Sequence, residues 1–236
     1  MIYTNILDLL NKNSDESYKA FNKKIIPDMG EAFGVRTPIL RNICQGILKN
    51  KNLNEIITEL HKGKMFEEKL LEGMLIGSMK FQDSNEMVIA IDNYITRIDN
   101  WALCDSFVSS LKKLVIKNKE LFYYKINDYV KSVNPWEIRF GLILLNGYFK
   151  DKDYVTHILD IISTIDNNHY YVKMGEAWLL STIYLSDSER VIEFLQSTTI
   201  DNWCVNKAIQ KIIESKRVSK EEKEFIRTLK RYKGNK

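Results

Sequence analysis

The sequence predicts an all-α solenoid of stacked antiparallel helix pairs. Three observations carry this: apolar residues recur at helical spacing almost end to end, Gly and Pro are scarce, and one short pattern of a capping residue followed by Trp returns about every 35 residues. Proline occurs 3 times and glycine 10 times in 236 residues, where average usage gives roughly 12 and 16. A chain so poor in turn residues does not build many hairpins.

The elements follow in order. Residues 54–61 (NEIITELH) place Ile56, Ile57 and Leu60 on one face. Residues 67–80 (EEKLLEGMLIGSMK) line up Leu70, Leu71, Met74, Leu75 and Met79, and residues 84–97 continue with Met87, Val88, Ile91 and Ile95. Such spacings form one stripe of a 3.6-residue helix. The breaks between helices are short and polar: FQDSN, RIDN, KSVNP, FKDKD, IDNNH and LSDS. Each carries an Asn, Asp or Ser able to cap the next helix. About ten to twelve helices are expected. The N-terminal segment, up to the turn around Pro27–Gly34, sits somewhat apart, and the whole chain, 1–236, reads as a single domain.

The repeat is read from the caps. DNWALCD begins at Asp99, NPWEIRF at Asn134, HYYVKMG at His169 and DNWCVNK at Asp201, at offsets of 35, 35 and 32 residues. A period of this size means one helix pair per repeat. Period alone does not choose between HEAT-like and tetratricopeptide repeats, although the tetratricopeptide signature is absent.

Charge and composition narrow the chemistry. The net charge is +4, but residues 207–236 hold eleven Lys/Arg against four Asp/Glu, so this tail carries +7 and the preceding residues −3. The tail is either a solvated charged helix or an anion-binding one. Cys44, Cys104 and Cys204 lie far apart, as do His61, His157 and His169, so neither a disulfide framework nor a metal pair is expected. The N-terminus lacks signal-peptide character and no apolar run spans a bilayer. Reduced thiols, a cytoplasmic location, no membrane partner and no metal or other cofactor are the expectations. Neither GxGxxG, GxxxxGK[ST] nor GxSxG occurs.

What remains is a set of aromatic and charged residues on the repeat helices. Trp101 and Asp105 share a face at i and i+4; Trp136 and Arg139 lie at i and i+3. Trp178 is mid-helix after Tyr170, Tyr171 and Lys173, and Trp203 and Lys207 share a face on the next helix. Core packing competes with function for every tryptophan, and Trp136 and Trp203 are the ones expected in the core. Asp105 has the competing reading of a first-turn carboxylate at a helix dipole, and Arg139 that of a partner for Glu137.

DNWALCD (99–105), PWEIRFGLILL (135–145) and YYVKMGEAWLLS (170–181) resemble the DNA alkylation repair family of HEAT-like repeat proteins, the AlkD-like alkylpurine DNA glycosylases. GVRTPILRNI (34–43) resembles the family's N-terminal G-[IV]-x-TP-x-x-R element, and residues 202–231 the C-terminal element of one subfamily. The resemblance implies a curved α-solenoid with a basic concave face for double-stranded, alkylated DNA, acting as a monomer. It also implies hydrolytic excision of cationic purines such as 3-methyladenine and 7-methylguanine. Position by position, the catalytic Asp falls on Asp105, the tryptophans flanking the lesion on Trp101 and Trp178, and a phosphate-side Arg on Arg139. Arg36, Arg41, Lys173 and Lys207 are the further DNA-binding candidates. Active members tend to carry Arg three residues after the second Trp, where this chain has Ser181. The alternative reading is a non-catalytic helical-repeat module binding nucleic acid or protein.

Overall fold

The computed structural model describes residues 2–231, so Lys233 and Lys236 of the basic tail lie outside the described residues. Within them the chain forms fifteen α-helices, one 3-10 turn and no strand, and divides into two compact units, Met1–Lys117 and Asn118–Lys236. No described helix is long and apolar enough to cross a membrane.

The first unit contains α1 (Tyr3–Lys12), α2 (Glu16–Ile25), α3 (Thr37–Ile47), α4 (Leu53–Lys62), α5 (Phe66–Ser78), α6 (Ser84–Ile95), α7 (Trp101–Ser110) and α8 (Lys112–Lys117). The second contains α9 (Lys119–Tyr129), α10 (Pro135–Tyr148), the 3-10 turn (Lys152–Tyr154), α11 (Val155–Thr164), α12 (Tyr170–Ile183), α13 (Ser188–Ser197), α14 (Asn202–Glu214) and α15 (Lys220–Thr228). The total exceeds the ten to twelve expected. The segment after Trp101 is cut into three short helices by Leu111 and Asn118, neither of which is a strong breaker in sequence.

The caps behave as their residue types require. Asn100, Asn134 and Asp201 each accept from a backbone N–H in the following turn, at 3.0, 3.0 and 2.7 Å. Asp83 does the same for α6 with two N–H groups. A cap of this kind contributes about 1 kcal/mol over alanine.

In the first unit α5 is the central element, packed against α3, α4 and α7. Ten of its thirteen residues are buried. The expected single stripe is therefore too narrow: Gly73, Ile76 and Gly77 are inside as well as Leu70, Leu71 and Leu75. Glycine is needed where α7 arrives. A Cβ on Gly77 would stand 2.3 Å from Ser110 Oγ, and one on Gly73 would meet the Tyr94 hydroxyl at 2.7 Å. Tyr94 and Phe107, both fully buried, contact each other with centroids 4.2 Å apart. In the second unit α12 lies between α10 and α14. Fully buried Leu142, Leu144, Leu179, Leu180 and Ile209 form that core, each side chain contributing about 2 kcal/mol. These are packed helix pairs of the HEAT-like kind.

Candidate functional site

The GVRTP element is built from its glycine outward. Gly34 has φ +84°, and a Cβ there would stand 2.3 Å from the Asp15 carbonyl oxygen, so only glycine fits. The buried Glu67 carboxylate of α5 accepts the backbone N–H groups of Phe33, Gly34 and Val35 at 2.8, 2.7 and 3.0 Å. Three donors converging on one carboxylate pin the loop to the central helix. Thr37 and Pro38 then open α3, where the missing proline N–H costs nothing. Arg36 donates to Asp15 Oδ2 at 2.8 Å and lies over the Tyr18 ring. Asp15 also caps α2 and accepts from Ser17, and these hydrogen bonds hold its carboxyl well below the usual carboxylate range. Arg36 is thus committed to the loop, whereas Arg41, one turn into α3, is exposed and no described residue pairs with it.

On α7, Trp101 and Asp105 are both half-buried and four residues apart on one face. Trp101 Nε1 donates to the Ile25 carbonyl at 3.0 Å, which satisfies the C-terminal end of α2. The helix therefore presents an indole and a carboxylate side by side, with neither sealed in the core.

The second unit holds the other candidates. Trp178 is 41% exposed on α12. Ser181, one turn on, donates to the Trp178 carbonyl at 2.7 Å. Arg139 differs from the open phosphate anchor expected of it. It is 5% exposed, its Nη1 donates to the Tyr171 carbonyl at 2.7 Å, and the guanidinium lies over the Tyr171 ring, so it fastens the start of α12 to α10. Lys173 is paired with Asp201 at 2.9 Å across α12 and α14. Lys207 donates to Gln210 at 2.9 Å and stands over the Trp203 ring.

Trp136 and Trp203, expected in the core, stand instead in a chain of rings at the N-terminal ends of α10, α12 and α14. Trp136 contacts His169 and Tyr171, Tyr171 contacts Tyr170, and Tyr170 contacts Trp203. Trp203 is 38% exposed and Tyr170 55%. A residue at the first turn of a repeat helix sits at the edge of the stack, where only one neighbour covers it.

Sequence reasoning missed a set of buried carboxylates. Glu72 is 1% exposed and is held by Arg97 at 2.5 Å and His61 at 2.7 Å; burial raises its pKa against the pull of both partners. Arg97 also donates to the Leu60 and Gly63 carbonyls, closing the end of α4. Glu176, 5% exposed on α12, accepts from the Cys204 thiol at 3.2 Å, and burial pushes it up to about 7. The available signal was a second repeat element, Lys-x-x-Glu. It occurs at Lys69–Glu72 and Lys173–Glu176, and each lysine pairs with the Asp that leads into the next repeat helix, Asp99 before the Asn100 cap or Asp201, itself the cap.

All three cysteines are buried and none is in a disulfide, and the described residues contain no group of three His, Cys, Asp or Glu able to hold a metal. Comparison with curated proteins finds no match. A family model described as DNA alkylation repair enzyme matches residues 6–212, which takes in the GVRTP loop, the Trp101–Asp105 helix and all of α12. The chain therefore belongs to the DNA alkylation repair enzyme family.

Proposed function

We propose that the protein is a DNA glycosylase that hydrolyses the N-glycosidic bond of cationic alkylpurines such as 3-methyladenine and 7-methylguanine. The observation that carries this reading is the pair on α7: Trp101 and Asp105, on one face, partly exposed, in a chain of this family.

The chemistry suits those groups. An N-alkylated purine already bears positive charge and leaves without a general acid. As the bond breaks, the deoxyribose takes on oxocarbenium character. The Asp105 carboxylate stabilises that charge and orients the attacking water. The indole face of Trp101 favours the same developing cation. Trp178 supplies a further exposed ring for DNA contact, and Arg41 and Lys207 supply cations for the phosphates. Arg36, Lys173 and Arg139 act as positioning residues, since each is spent on a partner within the protein. The reaction on this reading needs no metal or cofactor, and the protein works on duplex DNA as one domain and as a monomer.

The test is release of free base from duplex DNA methylated at adenine N3 and guanine N7. Asp105→Asn should lower the single-turnover rate by ~10²–10³-fold, the range for removing one preorganised electrostatic group. Full activity in Asp105→Asn refutes the mechanism. Burial of Arg139 and pairing of Lys173 favour a second reading, a DNA-binding module without catalysis. Absence of any base release from folded wild-type protein that still binds DNA would select it.

A further inference from the structure

A groove of about 360 Å³ opens between α4, α5 and α6 of the first unit, and neither Trp101 nor Asp105 lines it. Its middle is apolar, formed by Ile57, Ile76 and Ala90. Its ionisable residues are His61, Glu72 and Glu86, and among the described residues no lysine or arginine lines it. Each helix gives the groove two residues seven positions apart: Asn54 and His61 on α4, Glu72 and Met79 on α5, Glu86 and Asn93 on α6. Seven residues of helix span about 10 Å, which is the length of the groove.

The two ends carry hydrogen-bond acceptors. At one end the Nδ1–H of His61 donates to Glu72 Oε1 at 2.7 Å. Arg97 holds the other oxygen of Glu72 together with the Leu60 and Gly63 carbonyls, so the imidazole is fixed in place. With Nδ1 protonated, the neutral ring keeps its lone pair on Nε2, on a side chain 47% exposed. Tyr94 donates to the Lys69 carbonyl at 2.9 Å and Arg97 reaches Glu72, so the later part of α6 lies beside the earlier part of α5. Asn93 therefore falls at the His61 end. Glu86, two turns before it, falls at the opposite end with Met79 and Phe81. There it accepts the Gln82 N–H through Oε2 at 2.8 Å, which fixes the carboxylate at the rim.

We propose that this groove binds a linear diamine, with one ammonium on the Glu86 carboxylate, the other donating to His61 Nε2, and the methylene chain over Ile57 and Ile76. Acceptors at both ends call for donors at both ends, and the apolar middle calls for a body without polar groups. An anion would meet Glu86 with no lining cation to offset it, so the groove discriminates by charge. The length selects too. A seven-carbon diamine has eight bonds of ~1.5 Å between its nitrogens, and in extended zigzag these span about 10 Å. A lysine side chain of another protein would satisfy one end only, so the occupant is the free small molecule. Diamine binding is independent of the glycosylase reading, since the two share no residue.

The experiment is isothermal titration calorimetry at fixed, low ionic strength. The probes are unbranched diamines of three, five, seven and nine carbons, with heptylamine and heptanoate as single-ended controls. Affinity should peak at the seven-carbon diamine. Heptylamine, which reaches one end, should bind ~10-fold or more weakly, the loss of one charge-assisted hydrogen bond. Heptanoate should not bind. Glu86→Gln and His61→Phe should each bring the seven-carbon diamine down to the level of heptylamine on wild type. Ala90→Leu fills the groove without touching either end and should abolish binding. His61→Phe also unpairs the buried Glu72; if that protein does not fold, Glu86→Gln and Ala90→Leu decide alone. Glu55→Gln removes an exposed carboxylate of α4 outside the groove and should change nothing. A flat chain-length profile, or equal losses in Glu55→Gln and Glu86→Gln, would mean diffuse attraction of cations and overturn the site. Wild type that shows no saturable binding at millimolar diamine overturns it as well.

Discussion

Replacing Glu67 by alanine should unpin the loop that carries Arg36 and leads into α3. The carboxylate accepts three backbone N–H groups, at 2.8, 2.7 and 3.0 Å, and is 1% exposed. Gly34 and Val35 are buried too, so water cannot simply take its place. A buried donor left without a partner costs about 1–3 kcal/mol. Taking the lower half of that range for three donors gives about 3–6 kcal/mol for Glu67→Ala. Glu67→Gln keeps an oxygen for Gly34 and Val35 but turns an NH₂ toward the Phe33 N–H, so one hydrogen bond and the charge assistance are lost, about 2 kcal/mol. At 2–4 °C per kcal/mol for a domain of this size, alanine should lower Tm by roughly 10 °C or more and glutamine by about half of that. Differential scanning fluorimetry reads both, and hydrogen exchange at Phe33–Val35 localises the effect. A Glu67→Ala protein that melts within about 2 °C of wild type, with those amides still protected, would refute the view that this carboxylate organises the loop.

Three further outcomes follow from the packing. Glu176 is pushed up to about 7 from the ordinary 4.5 by burial. The native state therefore binds more protons, and stability that is full below about 4.5 is lost as pH rises through about 7, on the order of 3 kcal/mol in all. Wild-type Tm should fall from pH 5 to pH 8, and Glu176→Gln should flatten that slope; an equally steep mutant profile would show the titrating group to be another. Gly34→Ala combines a positive φ with a Cβ 2.3 Å from the Asp15 carbonyl oxygen, so it should cost about 2 kcal/mol or more in urea unfolding; a neutral result would mean the loop can move away. Gly77→Ala should prise α7 from α5 at Ser110, destabilising by about 1–3 kcal/mol and weakening duplex binding together.

Where the sequence spoke clearly, the information was local. Asn100, Asn134 and Asp201 are short polar residues before apolar runs, and the hydrogen bond each accepts comes from two or three residues away. Helix starts and the repeat period were legible for that reason. Burial of Glu67, Glu72 and Glu176 was not, because their partners come from elsewhere in the chain: the Phe33–Val35 loop, Arg97 and His61, and Cys204. Read alone, α5 has three glutamates where a solvent face should be; in the fold each is enclosed with its donors. Trp136 and Trp203 went the other way. A tryptophan at a repeat-equivalent position looks like a core knob, yet at the first turn it reaches the edge of the stack and leans on rings from the next repeat. For the candidate site, the Trp101–Asp105 face was readable from i, i+4 spacing, while the burial of Arg139 depends on how neighbouring helices meet.

Formal charge is a poor guide to how this protein meets a polyanion, because five of its cations, three of them DNA-binding candidates from the sequence, are already employed. Arg97 closes α4 and neutralises Glu72, and Lys69 and Lys173 each tether one repeat helix to the Asp before the next. Arg139 fastens α12, and Arg36 holds Asp15. Each of these contacts would have to loosen before the side chain could reach a phosphate; that costs several kcal/mol for the buried Arg97–Glu72 pair and far less for the exposed Lys69, Lys173 and Arg36 pairs. Counterion release, and with it most of the salt dependence of binding, must come from cations left uncommitted. In the first unit Arg41 of α3 is exposed and pairs with no described residue. α5 packs against both α3, which carries Arg41, and α7, which carries Asp105, so affinity for the backbone and placement of the carboxylate share that packing. A change that loosens Gly77 against Ser110 should weaken binding and blunt chemistry in parallel, while a change at Arg41 should weaken binding alone.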